Sequence, residues 1–113
     1  MSDQPRITLE PLARPVELHY ERARIASSDD VLCLAEHGYP PRLYLADLAW
    51  ADARLVHSST RTHYPFKGDA VYFDLLIGRH RLADAAWCYP EPIADMAALA
   101  GRLAFDHPAL EIT

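Results

Sequence analysis

The residues best suited to chemistry fall in one run, Thr60-Arg61-Thr62-His63-Tyr64-Pro65-Phe66-Lys67-Gly68-Asp69-Ala70-Val71-Tyr72. It contains the only lysine of the chain, Lys67, between an aromatic residue and a glycine at a predicted strand start. From Ala53 to Gly68 there is no carboxylate, whereas Arg54, Arg61 and Lys67 are cations and His57 and His63 can become so. An acidic chain, net charge −5, thus carries one cationic, hydroxyl-bearing window.

An ammonium at Lys67 can hold a phosphate or carboxylate as a point charge, with further donors from Thr60, Thr62 or the amides before Gly68. Desolvated, it can instead lose its proton and act as a base or a Schiff-base amine. The plainer alternative is that its stem packs on Phe66 while its head stays in water. Gly68 allows a close backbone approach or a positive φ. Aromatic residues gather around the same region: Tyr44, Tyr64, Phe66, Tyr72, Trp87 and Tyr89. They read either as core or as a stacking surface at a sheet rim.

Other chemistries find less support. His57, His63 and Cys88 match no zinc spacing, so no metal is expected. A triad drawn from Ser58, His57 and Asp52 lacks a nucleophile elbow. The four glycines are not clustered into a phosphate-gripping loop. Among the carboxylates Glu36, Asp47, Asp69, Asp74 and Asp84 there is no DxD pair, which counts against magnesium-dependent nucleotidyl transfer.

A length of 113 residues implies a single domain over 1–113. The acidic balance argues against nucleic acid, which demands a broad basic face. No apolar run has the length of a membrane span. Met1 to Arg6 is polar and lacks an apolar core, and Cys33 and Cys88 form no CxxC pair, so the expectation is a reduced, cytoplasmic protein.

The elements that must position the window are mostly strands. Residues Met1 to Pro15 read as a proline-punctuated arm, with an edge strand at Ile7 and Leu9. Val16, Leu18 and Tyr20 alternate with polar residues, and Ala23, Ile25 and Ser27 continue that period after a bend. Val31 to Ala35 is apolar on both faces, hence a central strand ended by Glu36. His37 to Pro41 is a loop, Leu43 to Leu45 a short strand, and Ala46 to Trp50 one helical turn. Leu55 to His57 is a strand leading into the window. Beyond Asp69, Val71, Phe73, Leu75 and Ile77 share one predicted face, and Ala70, Tyr72, Asp74 and Leu76 the other. Gly78-Arg79 turns the chain back through Arg81 to Trp87. Ile93, Met96, Ala97, Ala100 and Ala104 recur at helical spacing, predicting a helix to Phe105 with Gly101 inside it. Leu110 and Ile112 form a last strand.

The order His63 to Tyr72 (HYPFKGDAVY), then Ala86-Trp87-Cys88-Tyr89-Pro90-Glu91-Pro92 and Ala100 to Phe105, resembles the family known as domain of unknown function 427. Its pattern is C-P-x-K-G with a following tyrosine, then W-x-Y-P. Leu34-Ala35-Glu36 with Pro40-Pro41-Arg42-Leu43-Tyr44 is similar to its upstream E-x-G-x-P-P-x-x-Y segment. The resemblance points to Glu36, Tyr44, Pro65, Lys67, Gly68, Tyr72, Trp87, Tyr89 and Pro90. Tyr64 stands where many members have cysteine, so thiol chemistry at that position is excluded here. The resemblance also implies a β-tent-like fold, whose zinc-binding members use CxxC pairs that this chain lacks. The family's nucleotidyltransferase label is not supported by the carboxylates present.

The resulting expectation is a mainly β domain of β-tent-like antiparallel sheets with one C-terminal α-helix. Its first functional reading is a small-ligand pocket lined by Tyr44, Tyr64, Phe66, Tyr72, Trp87 and Tyr89. There Lys67 anchors a small anion, Arg61 or His63 stands at the rim, Gly68 supports the turn, and Glu36 accepts hydrogen bonds. The alternatives are an enzyme with Lys67 or Glu36 as acid/base, and a protein-interaction module. Either a monomer or a homodimer fits.

Overall fold

The structure is a computed structural model that describes residues 6–113; the first five residues of the expected N-terminal arm lie outside them. Among the described residues eleven strands form three antiparallel sheets. The first sheet has the order β1 (Ile7–Pro11), β4 (Asp30–Glu36), β5 (Arg42–Ala46), with the doubly apolar Val31 to Ala35 run in its centre as expected. The second runs β11 (Leu110–Ile112), β2 (Val16–Tyr20), β3 (Ala23–Ser28), β6 (Ala49–Trp50). The third runs β10 (Ala104–Phe105), β9 (His80–Cys88), β8 (Gly68–Ile77), β7 (Ala53–Tyr64). The 12 residues of β7 span about 40 Å at strand rise, most of the 52 Å long axis of the molecule.

The long third sheet serves two cores. One end packs Ala70 and Tyr89 with Leu34 and Tyr44 of the first sheet, closed by Met96 and Leu99. The other end packs Leu75, Leu82 and Ala85 with Leu18, Ile25 and Ala26 of the second. One strand reaches both because its neighbours bulge. β7 uses His57 to Arg61 against only Phe73 to Val71, and β9 uses Ala86 to Leu82 against Phe73 to Leu75. The bulge on β9 holds Asp84 at φ +50°, a region that Asp tolerates better than most residues.

The groups freed by the bulges are satisfied within them. Asp84 N–H donates to Asp74 Oδ1 at 2.8 Å and Arg81 Nε to Asp74 Oδ2 at 2.7 Å. Asp84 in turn accepts from the hydroxyls of Ser58 and Thr60. The backbone N–H of Asp84, with Arg81, holds the Asp74 carboxyl below the ordinary aspartate range.

Three expectations are corrected here. The C-terminal helix is absent: Ala94–Leu99 is a short 3-10 segment broken at Met96 (φ −113°, ψ 19°), and Gly101 turns at φ +73°. A stretch of that length cannot sustain a helix alone, and pairing of Ala104 with Trp87 and of Phe105 with Ala86 claims the residues beyond it. The helical turn at Ala46 to Trp50 is also absent. Asp47 turns at φ +49°, and Ala49–Trp50 joins β3 as an edge strand while Trp50 packs edge-on against Phe105. Strict alternation along β8 fails at the bulge, where adjacent Asp74 and Leu75 are both buried.

Candidate functional site

The first core opens into a cavity of about 240 Å³ between the first and third sheets. Period-two geometry delivers its walls. β4 supplies Leu34 and Glu36, β5 supplies Arg42 and Tyr44, and Trp87 and Tyr89 stand two apart at the end of β9. Tyr72 of β8 pairs across the ladder with Trp87, their rings 6.0 Å apart. Tyr39 and Pro40 of the β4–β5 loop complete the mouth.

Tyr64 and Lys67 reach the cavity from the turn joining β7 to β8. Lys67 N–H donates to Tyr64 C=O at 2.9 Å, closing a four-residue turn with Pro65 at its second position, where its fixed φ is favourable. The chain after β9 crosses this turn, and Ile93 N–H donates to Lys67 C=O at 2.9 Å. Gly68 lies beneath the crossing at φ +126°; a Cβ there would stand 3.3 Å from both Glu91 O and Pro92 Cα. The positive φ favours glycine, and a side chain there would press on the crossing backbone.

Lys67 does not wave in solvent. Its Nζ donates to Glu36 Oε1 at 3.0 Å and lies 4.0 Å from the centroid of the Tyr64 ring. Only 12% of the Lys67 side chain and 6% of that of Glu36 are exposed. The Tyr64 hydroxyl donates to Glu36 Oε2, and Arg6 Nε stands 3.5 Å from the same oxygen. Burial pushes the Glu36 carboxyl up, but the hydrogen bonds from Tyr64 and Lys67, with the charges of Lys67 and Arg6, hold it below the usual glutamate range. Donation to Glu36 raises the Tyr64 hydroxyl above the ordinary tyrosine value. Burial raises those of Tyr44 and Tyr89.

Glu36, Tyr44, Tyr64, Lys67, Tyr72, Trp87 and Tyr89, all singled out from sequence, border this one cavity. Phe66 does not: it is 45% exposed, with the Arg6 guanidinium 4.5 Å from its ring centroid. Arg61 curls back onto its own strand, donating to the carbonyls of Ser58 and Thr60 at 2.7 Å each. His63 Nδ1 lies 2.6 Å from Asp69 Oδ1 on the exposed hairpin. Neither reaches the rim, because the cationic window is mostly the solvent face of edge strand β7.

Sequence reasoning passed over Arg42, whose guanidinium carbon lies 4.9 Å from the Trp87 ring centroid, and Arg6, which backs Glu36. The signal for Arg42 was present, since it precedes Tyr44 by two residues on a strand. Nothing local marks Arg6, which depends on a long-range pairing of Ile7 with Glu36.

Among the described residues no three His, Cys, Asp or Glu side chains come together as a metal-binding group. Cys33 and Cys88 are free thiols, and burial raises that of Cys88. Among the described residues no helix is long and apolar enough to cross a membrane.

Fold and site together define a mainly antiparallel β domain with a polar, tyrosine-rich cavity where two sheets meet. Residues 8–113 match the model of the family described as Domain of unknown function (DUF427), whose short label denotes a nucleotidyltransferase, and the chain belongs to that family. No curated protein matches it.

Proposed function

We propose that this chain is a binding domain for a small anionic molecule, received in the cavity between the first and third sheets. One observation carries the reading: a buried Lys67–Glu36 pair forms part of the wall of a cavity otherwise lined largely by tyrosines and Trp87. Such a mixture of apolar rings with a few fixed polar groups is what small-molecule sites present. Lys67 has three donors, of which Glu36 takes one. Its charge also compensates Glu36, without which a carboxylate at the cavity wall would repel an anion.

The enzyme alternative, with Lys67 or Glu36 as acid/base, draws on the contact among Tyr64, Glu36 and Lys67. Against it, Glu36 is held low and Tyr64 high, whereas proton transfer near neutrality needs groups poised there. Nucleotidyl transfer would need carboxylates to hold magnesium, and among the described residues no three metal-ligating side chains gather. The zinc site implied by a β-tent likeness likewise lacks its donors, so only the zinc-free sheet arrangement belongs to this proposal. The interaction-module alternative rests on edge strand β7, which its bulge and Arg61 partly cover. The setting we favour is a reducing cytoplasm, as monomer or homodimer, with no role for nucleic acid.

The test is equilibrium binding of benzoate to wild type, Lys67→Met and Glu36→Gln. Saturable binding to wild type should be lost in Lys67→Met, which leaves Glu36 less compensated, and strengthened in Glu36→Gln, which frees the ammonium. Equal binding to all three would remove the pair from the site.

A further inference from the structure

Two of the cavity's tyrosines present hydroxyl protons with nothing to receive them. Tyr89 is 6% exposed and Tyr44 2%, yet among the described residues neither hydroxyl donates to a protein acceptor. The neighbouring Trp87 offers Tyr44 no acceptor, since an indole can only donate. That leaves the Tyr44 proton without an acceptor. No buried side-chain oxygen among the described residues is both sealed and unpaired, so what opening these two oxygens have is toward the cavity they line. The third nearby hydroxyl, Tyr72, is within 3.2 Å of Thr62 Oγ1. Arg42 stands at the same wall over Trp87, with the exposed Asp106 carboxylate 3.5 Å away as its counter-ion among the described residues. Donors therefore exceed acceptors. Glu36, the carboxylate among the described lining residues, is already engaged by Tyr64, Lys67 and Arg6.

Hydroxyls that open onto a cavity and have no protein acceptor are the complement of an acceptor-rich ligand group. The geometry points to a carboxylate on a flat apolar body as the ligand, its oxygens held by the hydroxyls of Tyr44 and Tyr89 with Arg42 as counter-ion, and its ring against Trp87 and Tyr72. This rests on the small-anion reading and deepens it. Lys67 is then the residue that neutralises Glu36, while the ligand's charge is met by Arg42. The aromatic walls favour a planar body, and charge-assisted O–H donation to a carboxylate is the stronger class of hydrogen bond.

Isothermal titration calorimetry with benzoate, benzamide and inorganic phosphate, on wild type, Tyr89→Phe, Arg42→Gln and Lys67→Met, tests it. Wild type should bind benzoate at least tenfold more tightly than benzamide or phosphate. Tyr89→Phe and Arg42→Gln should each weaken benzoate by about tenfold, the worth of one charge-assisted hydrogen bond. Ligand-free Tyr89→Phe should melt no lower than wild type, since the lost hydroxyl has no internal partner. If benzoate binding survives both variants and fails only in Lys67→Met, the oxyanion placement is overturned and the small-anion reading stands. Phosphate binding as tight as benzoate overturns the flat body. Binding of neither anion up to tens of millimolar overturns placement and parent reading together.

Discussion

At the scale of single residues, Glu36 decides most. Its two oxygens receive Lys67, Tyr64 and Arg6, so its removal leaves a nearly buried ammonium without its partner. Glu36→Gln should lower unfolding free energy in urea toward the lower end of the roughly 3–5 kcal/mol seen when a buried pair is broken, because Lys67 borders an open cavity. Lys67→Met should cost less, as Tyr64 and Arg6 remain on the carboxylate. The pH dependence follows from the depressed Glu36 pKa. A carboxyl held lower in the folded than in the unfolded chain contributes stability above its unfolded value and loses it as pH falls through the folded one. Wild type should thus lose stability on acidification more steeply than Glu36→Gln, as followed by urea midpoints below neutrality; parallel curves would contradict the pair. Asp74 is depressed in the same direction, so the comparison must be between variants rather than with a flat line.

At the scale of elements, the bulges beside β8 and the turn before it set the site. Asp74→Ala should cost about 2 kcal/mol, because the Asp84 N–H loses its acceptor inside the sheet. Chemical denaturation checks this, and a loss within experimental error would mean the bulge holds without it. Gly68→Ala should cost about 1–3 kcal/mol from backbone strain alone, plus displacement of the Glu91–Pro92 crossing that its Cβ meets. Since that crossing follows Tyr89, this variant should also weaken benzoate binding although it removes no ligand contact.

These elements mark what sequence could and could not convey. The alternation of Val16–Tyr20 was legible because a period of two is local, and β4 because its apolar run is continuous. The aromatic wall was legible too, because its residues sit two apart on strands or beside the turn. The false helix arose from alanines at a spacing that says nothing about whether enough apolar surface exists to hold it. Bulges, positive-φ turns at Asp47 and Asp84, and the reach of Arg6 to Glu36 depend on pairing partners far away in the chain. The cationic window misled about Arg61 and His63, since an absence of carboxylates in sequence says nothing of Asp69 facing His63 across a hairpin.

At the scale of the whole molecule, one long sheet is shared by two cores, with β8 paired on both sides. Amide exchange should be slowest in β8 and its ladder with β9, and faster in the short β6, β10 and β11, which carry few pairs. The same division supplies an internal control for the binding claim, because Trp87 stands at the cavity and Trp50 packs in the other core. The most direct measurement is a two-dimensional nitrogen–proton NMR titration of the chain with benzoate, watching the two indole N–H signals. Saturable movement of Trp87 with Trp50 still is the expected result. A Trp87 signal that stays in place, or one that moves no more than Trp50, would contradict a ligand-binding cavity between the first and third sheets.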